Sequence, residues 1–218
     1  TFSIDGITAA LAGDKVTVSA AVTNTGAYEG KEVVQVYVSA PEGKLDKPYQ
    51  DLAGFAKTPT LAPGATETVE ITFSLKEMAS YDEEAAAWIL EKGNYVIRVG
   101  NSSVDTQIAA LAVLDRTVTT LKAKNTCGKP DFTDWRPERE IPSVMDAAIP
   151  VLVADCAALE GSEVNYNLPH EIDELVKGLT DEQLAYANIG EFSGSMSIIG
   201  QASKQVAGAA GESTSQAP

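Results

Sequence analysis

The carboxylates of this sequence are the side chains that could perform acid–base chemistry. Its 218 residues include 31 Asp and Glu, and several of them stand next to one another. A neighbouring pair can supply a general acid and a base or nucleophile if the surroundings separate their two pKa values. So many acids also form close pairs by chance, and charge runs are typical of solvated surfaces and helix N-termini. We therefore predict no catalytic role for three clusters, which are Asp82-Glu83-Glu84, Glu138 with Glu140, and Asp181-Glu182.

Three further patterns lack a residue that their chemistry requires. His170 is the one histidine, and it has no Asp and Ser motif of a catalytic triad around it. The serines of 193–195 do not fit the nucleophile motif G-x-S-x-G, because Glu191 occupies the first glycine position. The glycines of 208–212 are not followed by Lys-Ser/Thr, so they do not predict a phosphate-binding loop. We expect His170 to be a capping or surface residue.

The two cysteines do not predict a metal centre. Cys127 and Cys156 stand alone, without a C-x-x-C motif and with His170 as the one imidazole in the chain. This pattern excludes a tetrahedral zinc site of ordinary ligand spacing. We expect two ordinary thiols, and a disulfide between them stays an open alternative. No metal ion and no cofactor is predicted.

Aromatic residues offer one further kind of binding chemistry, because an aromatic face packs well against the apolar face of a sugar ring. We expect Phe55 and Trp88, however, to pack in the core or at an interface with another domain. Sugar binding by this chain is therefore the weaker alternative. The four candidates for it are Tyr49, Phe55, Trp88 and Trp135.

The charge of the chain argues against two classes of partner. Its formal net charge at pH 7 is −15. Phosphate contacts dominate nucleic-acid affinity, and anionic lipid heads also repel an acidic surface. No apolar run approaches the roughly 18 residues that a membrane span requires. We expect a soluble chain that is long enough to bury a sizeable core and binds neither nucleic acid nor membranes.

The first hundred residues alternate between apolar and polar side chains with a period of two. A strand that is buried on one face requires this alternation. Gly, Asn, Asp and Pro separate the runs, and these residues favour turns. About seven such strands predict an antiparallel β-sandwich over residues 1–113, and the lack of a Cys-Trp-Cys set favours a fibronectin type III-like sandwich over an antibody-type domain. The runs lie at residues 16–23, 34–38, 69–73, 95–99 and 104–108.

The composition changes after this predicted sandwich. Residues 127–142 contain three prolines among charged side chains, a composition that resists both helix and central strand. We predict an extended connecting arm over residues 114–169. Within it, the apolar and alternating patterns of 149–154 and 164–168 indicate short extended pieces, and a helix that starts at Ser143 stays an open alternative.

Helical patterns follow the predicted arm. Apolar side chains of residues 171–177 share one face, and Gly178 ends the pattern. Thr180 and Gln183 have the spacing of a capping box, in which each side chain bonds the backbone N–H of the other. From Ser193 onward, small and polar residues offer little apolar surface, so we do not expect this tail to fold without a partner.

Several motifs, taken together, resemble a known family. The combination is similar to the fibronectin type III-like domain of glycoside hydrolase family three, the β-glucosidase family. Two later segments resemble the start of that family's β/α barrel, namely LVKGLTDEQLAYANIGEF (175–192) and VAGAAGESTS (206–215). The sandwich motifs are NTG (24–26), GKEVVQVYVSAP (30–41), KPYQDLAGFAK (47–57), LAPG (61–64) and SYDEEAAAWILEKGNYVIRVGNSS (80–103).

The resemblance implies an excerpt of a longer enzyme in which the sandwich precedes the barrel. Residues 170–218 would be the helical start of a barrel that is cut off at Pro218. The whole enzyme would hydrolyse β-glucosides with retention, using an Asp nucleophile on a late barrel strand and an acid/base carboxyl about 5 Å away. Neither motif occurs in these 218 residues, so we predict no catalytic residue here.

We therefore expect a non-catalytic structural part of a family three glycoside hydrolase, in which the sandwich braces the catalytic domains. The implied partners are the catalytic domains of the same enzyme and its oligosaccharide substrate, and oligomerisation stays open. A free-standing carbohydrate-binding or adhesion module is one alternative, because fold alone does not fix function. A purely structural interaction domain is another. Apolar side chains of the tail would favour bracing if they form a contact surface, namely Leu184, Ile189, Phe192, Ile198 and Ile199.

Overall fold

The computed structural model describes residues 1–128, 131–132, 148–169 and 171–189. The chain divides into two compact units, Thr1–Val164 and Asn165–Pro218. In its described residues, the first unit is built from strands, with one short 3-10 helix at Leu75–Met78 and one short α-helix.

Eleven strands make up the described part of the first unit. They are β1 (Phe2–Ala12), β2 (Lys15–Asn24), β3 (Val33–Ser39), β4 (Asp51–Lys57), β5 (Thr66–Ser74), β6 (Ser80–Asp82), β7 (Ala87–Leu90), β8 (Gly93–Gly100), β9 (Thr106–Leu114), β10 (Val118–Lys122) and β11 (Val151–Val153). The short helix α1 (Cys156–Leu159) follows β11.

The strands form three sheets in the described residues. One has the order β1-β2-β5, one has the order β11-β9-β8-β3-β4, and a small one has the order β10-β7-β6. Neighbouring strands are antiparallel, except that β11 runs parallel to β9. The predicted fold class, a mostly β fibronectin type III-like sandwich, is confirmed.

The period-two pattern of β2 explains which of its faces is buried. Its apolar residues point into the core, and the hydroxyls of the alternate positions bond across to β5 on the other face. Thr17 and Thr72 are 3.0 Å apart at their Oγ1 atoms, and Thr23 and Thr66 are 2.8 Å apart. The inward set is fully or almost fully buried and consists of Val16, Val18, Ala20 and Val22.

The core lies between the first and second sheets. Burying a large aliphatic or aromatic side chain contributes about 1.5–3 kcal/mol, so this cluster supplies the main driving force for folding. The second sheet contributes alternate residues of β3, β8 and β9, which face the apolar side of β2 and β5. Core residues of β3 and β8 are Val34, Val36, Val38, Tyr95, Ile97 and Val99, and those of β5 are Val69, Ile71 and Phe73.

A β-bulge interrupts the pairing of β3 with β4. Val36 faces Gly54 while Tyr37 faces Leu52, so Ala53 is the extra residue. The sequence suggests a bend or bulge at Gly54, and the structure places the bulge directly beside it. A Cβ at Gly54 would lie 2.8 Å from Cγ2 of Ile71, so the glycine lets β4 approach the opposite sheet.

The strands extend beyond the segment that the sequence favours for the sandwich. β9 begins at Thr106 and ends at Leu114, whereas Val104 is exposed outside it. β10 and β11 both lie within the predicted connecting arm, and both pair with strands of the first unit. The first compact unit is Thr1–Val164. The rest of the arm between 132 and 148 lies outside the described residues.

The second unit contains two helices in its described part, α2 (Glu174–Lys177) and α3 (Asp181–Ile189). α2 is shorter than the pattern of 171–177 suggests, because the Asp173 carboxylate caps it by accepting a hydrogen bond from Leu175 N. The capping box is confirmed: Thr180 N donates to Gln183 Oε1 at 2.9 Å, and Gln183 N donates to Thr180 Oγ1 at 3.2 Å. Residues 166–167 form a turn rather than the extended piece expected at 164–168.

Candidate functional site

The first acidic cluster is bound to a lysine of the β3–β4 loop. Lys44 Nζ lies 3.0 Å from the Asp82 carboxylate and 2.7 Å from that of Glu84. Asp82 Oδ1 also accepts hydrogen bonds from the backbone N–H groups of Glu84 and Ala85. The hydrogen bond from Lys44 holds the pKa of Asp82 below its ordinary value. This arrangement anchors the β6–β7 turn to the loop.

A second ion pair organises the same loop from inside. Lys47 Nζ donates to the Glu91 carboxylate, to Pro41 O at 3.0 Å and to Leu45 O at 3.3 Å. The side chains of Lys47 and Glu91 are only 6% and 10% exposed. Glu91 also accepts from Lys44 N at 2.7 Å and from Leu45 N at 3.2 Å. Because the carboxylate and the ammonium both bond to loop backbone, the pair fixes the path of residues 41–47.

The surroundings of Glu91 leave little room for change. A Cβ at Gly43 would lie 2.4 Å from Glu91 Oε1, so only glycine permits this approach of the loop. The hydroxyl of buried Tyr95 donates to Glu91 O at 3.1 Å, and burial raises the pKa of that hydroxyl. Burial alone would raise the pKa of Glu91 as well. The hydrogen bonds from Lys47 and from two backbone N–H groups outweigh it and hold the pKa of Glu91 below its ordinary value.

The lowered pKa of Glu91 predicts a pH dependence of stability. A carboxyl whose pKa falls on folding stabilises the fold above the unfolded-state pKa, about 4.3 for Glu, and the stabilisation disappears as the pH drops through the folded value. We expect the free energy of unfolding, measured in urea between pH 3 and pH 7, to fall less steeply with acid in Glu91→Gln than in the natural chain. Parallel curves for the two proteins would contradict this assignment.

The other candidate chemistry does not assemble into a site within the described residues. Asp181 and Glu182 lie in the first turn of α3, where negative charge complements the helix N-terminus. Cys156 is buried and donates to Asp115 Oδ1 at 3.2 Å, whereas Cys127 is an exposed free thiol. No group of three potential metal ligands occurs in the part of the chain that the structure describes. Glu138, Glu140, Trp135, His170, 193–195 and 208–212 lie outside that part.

Apolar side chains gather on the solvent side of the second sheet. We define this "outer face" as Gln35, Tyr37, Leu52, Phe55 and Arg98, together with Tyr49 of the preceding loop. Cross-strand pairing puts Phe55 beside Gln35, and Tyr37 beside both Leu52 and Arg98. Phe55 is 67% exposed, Leu52 52% and Tyr49 41%. Exposed apolar side chains this close together mark a contact surface.

Hydrogen bonds fix the polar members of the outer face. Tyr37 donates from its hydroxyl to Gln35 Oε1 at 2.5 Å, and Arg98 Nε donates to Ser39 Oγ at 3.0 Å. The Arg98 guanidinium also lies over the Tyr49 ring, 5.4 Å from its centroid. A cation held over an aromatic face restrains both side chains. The outer face is therefore preorganised, with rigid polar groups around exposed apolar rings.

The expectation that Phe55 and Trp88 pack in the core is wrong. Both are exposed, and the reason for Phe55 is the bulge at Ala53. Leu52 and Phe55 are three positions apart and would face opposite sides of a regular strand. The extra residue turns both onto the outer face. Their other expected location, an interface with another domain, fits this exposure.

A second aromatic surface lies on the small sheet. Trp88 of β7 is 43% exposed and pairs across the strands with Tyr81 of β6. The ring centroids are 5.5 Å apart, and the ring planes are inclined by 58°. Neither aromatic surface is evident from the sequence, because strand alternation alone does not reveal the bulge or the third sheet.

Comparison with known proteins identifies the sandwich. The sequence model of the fibronectin type III-like domain matches residues 32–103. A relative named beta-glucosidase A from Butyrivibrio fibrisolvens is 48% identical over 99 residues, which are 44% of this chain and 12% of that protein. The chain thus spans about an eighth of the length of this relative. No helix in the described part of the chain is long and apolar enough to cross a membrane.

Solved structures give the same picture. A beta-glucosidase from Paenibacillus barengoltzii matches 57% of this chain and 15% of its own, with a TM-score of 0.53 and 32% identity. Beta-glucosidase 3B from Thermotoga neapolitana, solved with α-D-glucose, matches 55% of this chain and 16% of its own, with a TM-score of 0.51 and 35% identity. In each case the likeness covers a small part of a larger protein.

Proposed function

From the premise that residues 32–103 are a fibronectin type III-like domain of the kind that β-glucosidases of glycoside hydrolase family three carry, we propose that this chain is a non-catalytic structural part of such an enzyme. The observation that carries the proposal is the 48% identity over 99 residues to a β-glucosidase of which the match covers only 12%. The matching 99 residues are therefore one module of that larger β-glucosidase. The same coverage disfavours a free-standing carbohydrate-binding or adhesion module.

The sandwich braces the catalytic domains through its outer face. An isolated fold gains nothing from presenting Phe55 and Leu52 to water, whereas a neighbouring domain would bury both. Aromatic and arginine side chains are enriched at such interfaces, and the outer face offers Tyr49, Phe55 and Arg98. The loop that carries Tyr49 is held by the buried pair of Lys47 and Glu91. The fold thus presents a rigid surface for docking.

The enzyme that contains this chain hydrolyses β-glucosides by double displacement. An Asp outside these 218 residues attacks the sugar, and an acid/base carboxyl protonates the departing oxygen before water releases the product. Within the chain, residues 170–218 are the start of the barrel, and the arm of 114–169 connects it to the sandwich. The strands β10 and β11 are pieces of that arm that pair with the sandwich.

This proposal predicts that the purified chain does not hydrolyse a nitrophenyl β-glucoside. Its candidate acids Asp82, Glu84 and Glu91 are bound to lysines rather than poised as a free pair. The assay measures the release of nitrophenol by the purified chain. The complete protein is assayed in parallel and should be active. Turnover that follows the isolated chain through stringent purification and disappears in Asp82→Asn or Glu91→Gln would refute the proposal.

A further inference from the structure

The fold does not account for the position of Trp88. It occupies the middle strand of the small sheet, and its chain neighbours Ala87, Ile89 and Leu90 are buried. The indole itself is 43% exposed. A large aromatic side chain left partly in water forgoes part of its burial energy and is typical of a residue that contacts a partner.

Tyr81 extends the surface of Trp88 on the neighbouring strand. The ring centroids are 5.5 Å apart, and the ring planes are inclined by 58°. The two rings therefore form an angled aromatic surface rather than a parallel stack. Strand pairing fixes their spacing, because Tyr81 and Trp88 are directly opposite each other in the register of β6 and β7. A ligand would therefore meet a surface whose shape is set before binding.

Polar groups border the aromatic pair. The Tyr81 hydroxyl donates to Asn125 Oδ1 at 2.5 Å, and Asn125 Nδ2 donates to Glu83 O at 2.6 Å. Glu83 and Asn125 are both exposed. A primary amide has two N–H donors, so Asn125 has one beyond the bond to Glu83. Binding sites that orient a ligand combine apolar walls with a few placed polar groups in this way.

The charge around the pair restricts the chemistry of the ligand. The carboxylate of Glu83 lies in the adjoining turn, that of Glu84 is paired with Lys44, and the chain carries a net charge of −15, so its overall field repels an anionic ligand. A neutral sugar fits, because its C–H face packs on an aromatic ring and its hydroxyls bond to amide and carboxylate groups. We propose that Trp88, Tyr81 and Asn125 form a binding site for a neutral oligosaccharide, with one pyranose ring on the indole.

The test is calorimetric titration of the intact 218-residue chain with cellohexaose and laminarihexaose. The choice of glucose oligomers as probes rests on the proposed function, whereas the inference of an aromatic binding site does not. We expect saturable binding of at least one probe. Trp88→Ala should weaken it by about tenfold, in line with the loss of one aromatic stacking contact. Asn125→Ala changes an exposed residue outside the strands and should weaken oligosaccharide binding by a smaller factor. It tests the site if Trp88→Ala does not fold.

The matched control is Tyr28→Ala, which removes an exposed aromatic ring from the turn after β2 and should leave the affinity unchanged. The absence of binding by the natural chain to either probe would overturn the inference. Equal loss in Tyr28→Ala and Trp88→Ala would also overturn it, because the site would then not be the small sheet. Either failure leaves the proposed function intact, since that rests on hydrolysis by the complete protein and not on binding by this chain.

Discussion

Lys47→Met should destabilise the sandwich by about 3–5 kcal/mol, the typical cost of leaving one partner of a buried ion pair without the other. The Glu91 side chain is only 10% exposed, so water cannot readily replace the lost ammonium. Methionine also removes the hydrogen bonds to Pro41 O and Leu45 O. The measurement is urea unfolding at pH 7, with the free energy obtained by linear extrapolation.

Lys122→Met is the matched control. Its ammonium lies 4.0 Å from Glu163, and both side chains are 60% exposed, so its loss should cost less than about 1 kcal/mol. A double variant in which Lys47 and Glu91 are both methionine should recover much of the loss, because no unpaired charge stays buried. Equal effects of Lys47→Met and Lys122→Met would show that the loop is not held by this pair.

Gly100→Ala should destabilise the fold by about 3 kcal/mol, at the upper end for overpacking, because the new methyl group has no space. A Cβ at this position would lie 1.9 Å from Asp105 O, a backbone atom that cannot rotate away. Gly100 pairs with both Gln35 and Thr106, so any shift would strain the pairing of β8 with β3 and β9. Thermal unfolding of the chain, followed by circular dichroism, measures this effect.

Gly128→Ala provides the comparison for Gly100→Ala. It makes the same chemical change at an exposed glycine with nothing within 4 Å of the added Cβ, and should alter stability by less than about 0.5 kcal/mol. If Gly100→Ala unfolds at the same temperature as Gly128→Ala, the turn between β8 and β9 does not approach Gly100 as described.

Sequence alternation predicts the strands that are buried on one face, and it fails where the backbone breaks the period. β2, β3, β5 and β8 contain alternating runs that made them predictable, and burial alternates along the whole of β2. β1 was not, because Gly6 adopts a positive φ of 58° at a shift in its register with β2. β4 was not, because the bulge at Ala53 removes the period-two signal. In both strands an irregular residue determines which side chains point to each face of the sheet.

Pairings between distant segments were equally invisible in the sequence. The apolar run that contains β11 indicated an extended piece, but nothing in it showed that Val151–Val153 would lie parallel to β9. Lys47 and Glu91 are 44 positions apart, and neither stands in a motif that marks an ion pair. The outer face depends on cross-strand neighbours in the same way. The family resemblance supplied the identity of the sandwich. Its surfaces could not be predicted, because they are formed by residues that are distant in the sequence.

The most direct test of the account is Phe55→Ser, measured both in the isolated chain and in the complete protein that contains it. Phe55 is already 67% exposed in the chain alone, so its loss there should change stability by less than about 0.5 kcal/mol. In the complete protein, where we propose that a catalytic domain covers the outer face, the same change should cost about 1.5–3 kcal/mol.

Tyr28→Ser, at an aromatic residue that is 86% exposed in the turn after β2, is the control and should have little effect in either context. We expect Phe55→Ser to lower the unfolding temperature of the complete protein, whereas Tyr28→Ser should not. Equal unfolding temperatures for the two variants in the complete protein would contradict the claim that this sandwich braces a larger enzyme through its outer face.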